Sequence, residues 1–182
     1  MLATLTERRD FGGDWLLERK FDGERCVARK WGGDVRLESR TGKDLTATYP
    51  EVRAALVTQR AREFLLDGEV VAFQGEQTSF SRLQQRLGTT APSPQQIAAY
   101  PVVYCVFDVM EIDGEVLTQR PLEERRARLT GAIRPSAALQ ISEAWRDNAQ
   151  RRFDEACQSG WEGLIAKRAD ARRTSPGVRR TG

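Results

Sequence analysis

The segment Glu18-Arg19-Lys20-Phe21-Asp22-Gly23-Glu24-Arg25 gathers a lysine that could act as nucleophile, three carboxylates in and around a turn, and two arginines. Side chains alternate along a strand, so Glu18 and Lys20 share one face while Leu17 and Arg19 point away. Arg25 returns beyond Asp22-Gly23 to the neighbourhood of Lys20. A like charge beside a lysine disfavours the ammonium and so favours the neutral amine that attacks an electrophile. Burial acts in the same direction. The bland alternative is a β-hairpin with an Asp-Gly turn and charged rims, and Ile112-Asp113-Gly114-Glu115 reads as such a turn elsewhere.

Two absences narrow the chemistry. There is no histidine, which removes His-dependent triads, His-metal sites and imidazole acid–base catalysis. Lysine is confined to Lys20, Lys30, Lys43 and Lys167, so lysine chemistry has few homes.

Three further segments carry reactive or binding side chains. Leu65-Leu66-Asp67-Gly68-Glu69-Val70-Val71 reads as a central strand, where a buried carboxylate is costly unless paired or metal-bound. Its glycine suggests close approach by a ligand or another backbone; the alternative is an edge bulge with a surface glutamate. Val103 to Val109 puts Phe107 in an apolar strand, where an aromatic is more often core than a stacking platform. In Trp161-Glu162-Gly163-Leu164-Ile165-Ala166-Lys167, Glu162 and Lys167 are an odd number of positions apart. A regular strand places them on opposite faces, unless a bulge at Gly163 resets the phase.

The elements that hold these residues follow from periodicity and punctuation. Strands are predicted over Trp15 to Lys20, Arg25 to Trp31, Val35 to Ser39, Phe64 to Phe73, Pro101 to Met110, Leu139 to Ile141 and Trp161 to Lys167. Helices are predicted from Pro50 to about Arg62, from a Thr78 or Ser79 cap to Leu87, from Pro121 to about Thr130, and from an Asn148 cap to Ser159-Gly160. Gly88 to Pro94 reads as a loop. In the third helix Leu122, Leu129 and Ile133 form the apolar stripe, with arginines opposite. Adjacent strands joined by tight turns indicate an α+β fold of mainly antiparallel sheets flanked by helices.

Composition fits one soluble domain. The 182 residues are 40% hydrophobic and 30% charged. No apolar run approaches the roughly 20 residues of a membrane span, and Met1 to Glu7 does not resemble a signal peptide, so a cytoplasmic protein is expected. Cys26, Cys105 and Cys157 are too far apart for a disulfide framework or zinc site and read as small core residues. The net charge of +3 is uninformative alone. Arg168, Arg172, Arg173, Arg179 and Arg180 crowd the C-terminus as a solvated tail or a phosphate-contacting strip.

Taken in order, these segments resemble the ATP-dependent DNA ligases of the covalent nucleotidyltransferase superfamily, which also holds RNA ligases and mRNA capping enzymes. The pattern Lys-x-Asp-Gly-x-Arg is present as Lys20 to Arg25. Ser39-Arg40-Thr41-Gly42, Asp67-Gly68-Glu69, Val106-Phe107-Asp108 and Glu162-Gly163-Leu164-Ile165-Ala166-Lys167 look like the family's later motifs. The Thr48-Tyr49-Pro50-Glu51 and Phe80-Ser81 stretches look like bacterial repair and end-joining members. Any one motif is weak; five in order are specific.

The resemblance implies an ATP-grasp-like adenylation domain over residues 1–182, in which Lys20 takes AMP from ATP as a phosphoramidate and releases pyrophosphate. It implies that Glu18 meets the adenine amine and that Arg25 and Arg40 contact ribose or phosphates. Glu69 would bind ribose or a metal, Phe107 would stack on adenine, and Glu162 would help hold Mg2+. Lys167 and Arg179 match further nucleotide-contacting positions. The substrate implied is nicked or broken double-stranded DNA, handled by a monomer with end-joining or repair proteins and no membrane. The departure lies at the end: Ser175 to Gly182 reaches the family's Pro-Gly-x-Arg stretch, and no lysine follows Lys167. The final Lys-x-Lys motif and the oligonucleotide-binding-fold domain are therefore expected to be missing, with 168–182 an irregular basic tail. Alternatives are an RNA ligase or capping-type transferase, and a catalytically impaired fragment that binds nucleic acid.

Overall fold

The computed structural model describes residue 6 and residues 11–173; Arg179 and the rest of 174–182 lie outside the described residues. In chain order the strands are β1 (Trp15–Arg19), β2 (Glu24–Trp31), β3 (Asp34–Ser39), β4 (Phe64–Gln74), β5 (Gln77–Thr78), β6 (Val102–Ile112), β7 (Glu115–Val116), β8 (Leu139–Ile141), β9 (Ala144–Trp145) and β10 (Leu164–Arg168). The helices are α1 (Pro50–Val57), α2 (Phe80–Gln84), α3 (Pro94–Ala99), α4 (Leu122–Ala132) and α5 (Ala149–Gln158). Among the described residues, no helix is long and apolar enough to cross a membrane.

The strands form two sheets. In the smaller, β1 lies between β10 and β9, antiparallel to both. The larger runs β3-β2-β4-β6-β7, with β5 added to β4, and with β8 parallel to β6. All its other pairings are antiparallel, and the class is α+β as expected. Helices α1, α2 and α4 pack on the larger sheet, closing a core that includes Leu37, Leu56, Leu66, Tyr104 and Leu129. Each such leucine contributes about 1.5–3 kcal/mol by leaving water. β4 lies between β2 and β6 and is buried almost throughout, so Asp67-Gly68-Glu69 occupies a central strand. Gly68 is required there: a Cβ would lie 2.5 Å from the Cys105 carbonyl and 2.6 Å from the Tyr104 ring.

Several elements differ from the sequence expectations. Asp22-Gly23 is no hairpin turn, because β1 and β2 belong to different sheets and residues 20–23 cross between them. A Cβ on Gly23 would lie 2.3 Å from the Val70 carbonyl, so the crossing chain presses against β4. Helix α1 stops at Val57 rather than near Arg62. The buried Lys30 donates to the Val57 and Gln59 carbonyls, at 3.0 and 2.7 Å, and so caps its end. Helix α2 ends at Gln84, and α3 begins at Pro94, within the end of the stretch expected as loop, with a Ser93–Gln96 capping box. Arg125 is not opposite the apolar stripe of α4 but within it, buried with Leu122 and Leu129. Cys26 and Cys105 are buried, whereas Cys157 is exposed on α5. Residues 169–173 form no strand or helix yet are held down: Ala169 is buried, and Arg173 bonds Asp67 and Asp108.

Candidate active site

Lys20 follows the last residue of β1, where the chain leaves the smaller sheet. Its backbone N–H donates to the Gly163 carbonyl at 2.9 Å, which seats it against the turn into β10. Its ammonium pairs with Glu162, and both side chains are 39% exposed. Gly163 lies at φ +150°, a conformation that favours glycine. This break in strand phase lets Glu162 and Lys167 serve the same face of β1. Glu162 reaches Lys20, and Lys167 reaches Glu18.

Glu18 is 2% exposed and would be costly there without partners. Lys167 donates to its Oε2 at 2.6 Å, and Arg126 of α4 donates to its Oε1 at 3.1 Å. Arg126 also donates to the Phe107 carbonyl at 2.8 Å and to the Ser142 carbonyl.

Phe107 stands at a bulge. Asp67 pairs with Asp108 and Gly68 with Val106, so the register between β4 and β6 skips Phe107. Bulges re-aim side chains and often border functional sites. The ring is nearly buried, with the Arg25 guanidinium carbon and the Lys167 ammonium each 4.4 Å from its centroid.

Arg25 is engaged by Asp67 of β4. Its Nε and Nη2 are committed to Asp67, at 2.5 and 2.7 Å, because its cross-strand neighbourhood on β4 is acidic. Burial pushes the Asp67 carboxyl up, but hydrogen bonds and charges from Arg25 and Arg173 outweigh it and hold it below the usual carboxylate range. Glu69 ends up the other way. Burial raises its carboxyl above the usual value despite opposition from Arg25, the Gly23 backbone and Lys20. Arg40, just past β3, is exposed and has no ion pair among the described residues.

The structure thus brings Glu18, Lys20, Arg25, Glu69, Phe107, Glu162 and Lys167 to one region where β1 and β10 face β2, β4 and β6. It leaves Arg40 outside these contacts. Sequence reasoning missed Arg125, Arg126 and Arg173. The signal for the first two was present: positions 122, 125, 126 and 129 follow the i, i+3, i+4, i+7 spacing of one helix face. Arg173 reaches Asp67 across 106 positions, for which no local signal exists.

Among the described residues, no three Asp, Glu, Cys or His side chains gather as a metal cage. Mg2+ commonly takes one or two carboxylates together with phosphate oxygens and water, and Glu162 and Glu69 suit that donor set. Surface concavities of about 680 and 530 Å³ lie beside Arg126 and Trp145 and beside Lys43 and Thr90. Neither contains Lys20. The first backs onto the site through Arg126.

Comparison with known proteins shows the family. Residues 1–180 match the family model described as "ATP dependent DNA ligase domain". A DNA ligase of Pyrobaculum islandicum is 37% identical over 165 residues, covering 86% of this chain and 28% of the relative. The multifunctional non-homologous end joining DNA repair protein LigD of Mycobacterium tuberculosis is 34% identical over 159 residues, covering 87% of this chain and 20% of LigD. The crystal structure of the ligase domain of M. tuberculosis LigD superposes with a TM-score of 0.72 at 32% identity, covering 89% of this chain and 51% of that one. A mycobacterial DNA ligase D complexed with ATP and MES gives 0.69 at 31%, covering 89% and 50%. The chain therefore spans a third or less of these full-length relatives and about half of the solved ligase domains, and it belongs to the ATP-dependent DNA ligase family as its adenylation domain.

Proposed function

We propose that Lys20 is the residue on which this chain carries AMP. The observation that carries the reading is the placement of Lys20 beside Glu162, two residues past Glu18, where the chain crosses from one sheet to the other. Lys20 Nζ, having released a proton to solvent and left Glu162, attacks the α-phosphorus of ATP as the neutral amine and releases a second proton as the phosphoramidate forms. A phosphorus–nitrogen bond forms, the bond to the bridging oxygen breaks, and pyrophosphate leaves with the electron pair.

The other residues bind and orient. Glu18 accepts from the 6-amino group of adenine. Phe107 stacks on the base, which requires Arg25 or Lys167 to move from the ring where it covers the stacking face. Arg25 and Arg40 contact ribose or phosphates, where guanidinium donors suit oxyanions. Arg179 and Lys167 add further nucleotide contacts. Glu69 binds ribose or, with Glu162, holds Mg2+. That ion would neutralise charge on the phosphorus under attack and on the departing pyrophosphate.

In the whole protein the lysyl-AMP would serve to seal nicked or broken double-stranded DNA, in a monomer working in the cytoplasm with end-joining or repair proteins. The relatives named DNA ligase favour DNA over RNA or cap substrates. The family's Lys-x-Lys motif, whose lysines contact the triphosphate, and its oligonucleotide-binding fold would complete the machinery in the whole protein.

The test is incubation of the chain with Mg2+ and ATP labelled at the α- or the γ-phosphate. Label should be retained on denatured protein from the α position only, and disappear in Lys20→Ala. Retention in Lys20→Ala would remove Lys20 as the nucleophile.

A further inference from the structure

We propose that Arg126 is a positioning residue that sets the base specificity of the site, by fixing Glu18 and Phe107 to one another. The inference rests on the assignment of those two residues to adenine.

Arg126 lies on α4, outside every motif that marks the nucleotide site, yet its guanidinium is shared among three of the site's supports. Nη1 donates to Glu18 Oε1 at 3.1 Å and to the Phe107 carbonyl at 2.8 Å, and Nη2 donates to the Ser142 carbonyl. The Phe107 carbonyl belongs to the residue skipped by the β4–β6 register. The bulge that turns the ring toward the site is therefore stabilised by the group that holds the carboxylate. A guanidinium suits this because its donors are coplanar and fixed in direction on separate nitrogens, whereas an ammonium carries its three rotatable donors on one nitrogen and spans less distance between acceptors. Its neighbour Arg125 does the corresponding task behind the site, with Nε and Nη2 on Asp108 at 2.8 and 2.9 Å. Two successive arginines of one helix thus clamp Glu18, Phe107 and Asp108.

The chemical consequence is selective. With Oε1 taken by Arg126 and Oε2 by Lys167, the carboxylate is fixed in rotation. A carboxylate fixed in this way accepts from a 6-amino group and repels a 6-oxo group, so it discriminates adenine from hypoxanthine. Lys167 also lies over the Phe107 ring and would yield to an incoming base. Arg126 approaches from the α4 side through a backbone carbonyl, and so remains when the base is bound.

The experiment measures equilibrium binding of ATP and of ITP, which differ in the 6-amino or 6-oxo group and in the proton that ITP carries on N1, to the 182-residue chain and its variants. Arg126→Met is expected to lower the ATP-to-ITP preference by about tenfold, the scale of one hydrogen bond, with ITP affinity changing less. Arg126→Lys keeps the charge and guards against loss of folding. It should retain binding with an intermediate preference. Arg128→Met, on the exposed side of the same helix, should leave both affinities unchanged. An unchanged preference in both Arg126 variants, whether the affinities hold or fall together, would overturn the role. A wild-type chain that binds ITP as well as ATP would overturn the base assignment beneath it.

Discussion

Replacement of Asp67 separates two carboxylates that the sequence places side by side. Asp67 is 3% exposed and takes both Nε and Nη2 of Arg25, which is 32% exposed, as well as a bond from Arg173. In Asp67→Ala, Arg173 keeps Asp108 at 3.2 Å, whereas Arg25 loses both hydrogen bonds in a cleft only partly open to water. A charge-assisted hydrogen bond contributes about 1.5–3 kcal/mol. Solvent reaching Arg25 recovers roughly half of two such bonds, leaving a loss of about 1.5–3 kcal/mol. For a domain of this size that corresponds to about 3–12 °C in Tm, read by circular dichroism at pH 7. Asp67→Asn keeps one acceptor and should lose about half as much. The sign with pH follows from the depressed carboxyl. The stabilisation is present above the unfolded value of about 3.9 and is lost as pH falls through the lower folded value. The gap between wild type and Asp67→Ala should therefore be flat from neutral pH to about 5 and close below about 4. A Tm within about 2 °C of wild type at pH 7, or a gap that persists in acid, would refute the structural role given to Asp67.

Three further outcomes follow from the same geometry. Glu69 binds its proton more tightly when folded, so its stabilising contribution is present below its unfolded value of about 4.3 and is lost as pH rises through the raised folded value. Glu69→Gln should be at least as stable as wild type at pH 7 in urea unfolding, with the difference shrinking near pH 4. A clear loss at pH 7 would contradict this. Gly23→Ala drives a methyl to within 2.3 Å of the Val70 carbonyl, so the crossing must shift. A cost of about 1–3 kcal/mol is expected by the same measurement, and wild-type stability would show that the crossing does not press on β4. Maleimide at neutral pH should label the exposed Cys157 first and spare the buried Cys26 and Cys105 until unfolding, burial having pushed the Cys105 thiol up to about 12. Peptide mass spectrometry checks the order, and early labelling of Cys105 would contradict its burial.

What the sequence made legible was local. Alternation and Asp-Gly punctuation located β1 to β4, and the Asn148 and Ser79 caps located two helix starts, because caps and strand phase depend on near neighbours. Sheet membership was not legible. Asp22-Gly23 and Asp113-Gly114 look alike in sequence, yet one crosses between sheets and the other closes β6 onto β7. Nor does sequence show that Lys30 caps α1, that Arg25 turns to Asp67, or that Phe107 falls at a bulge. Each depends on partners brought close only by the tertiary fold. The phase problem between Glu162 and Lys167 lay between these extremes. Its solution required Gly163, and the glycine was visible, but its φ was not.

We propose that Lys20 takes AMP at the crossing between the two sheets. The most direct test is peptide mapping of the chain after incubation with ATP and Mg2+. The account predicts an acid-labile AMP on the peptide containing Lys20, and none on those containing Lys30, Lys43 or Lys167. AMP on any of those peptides, with the Lys20 peptide unmodified, would contradict it.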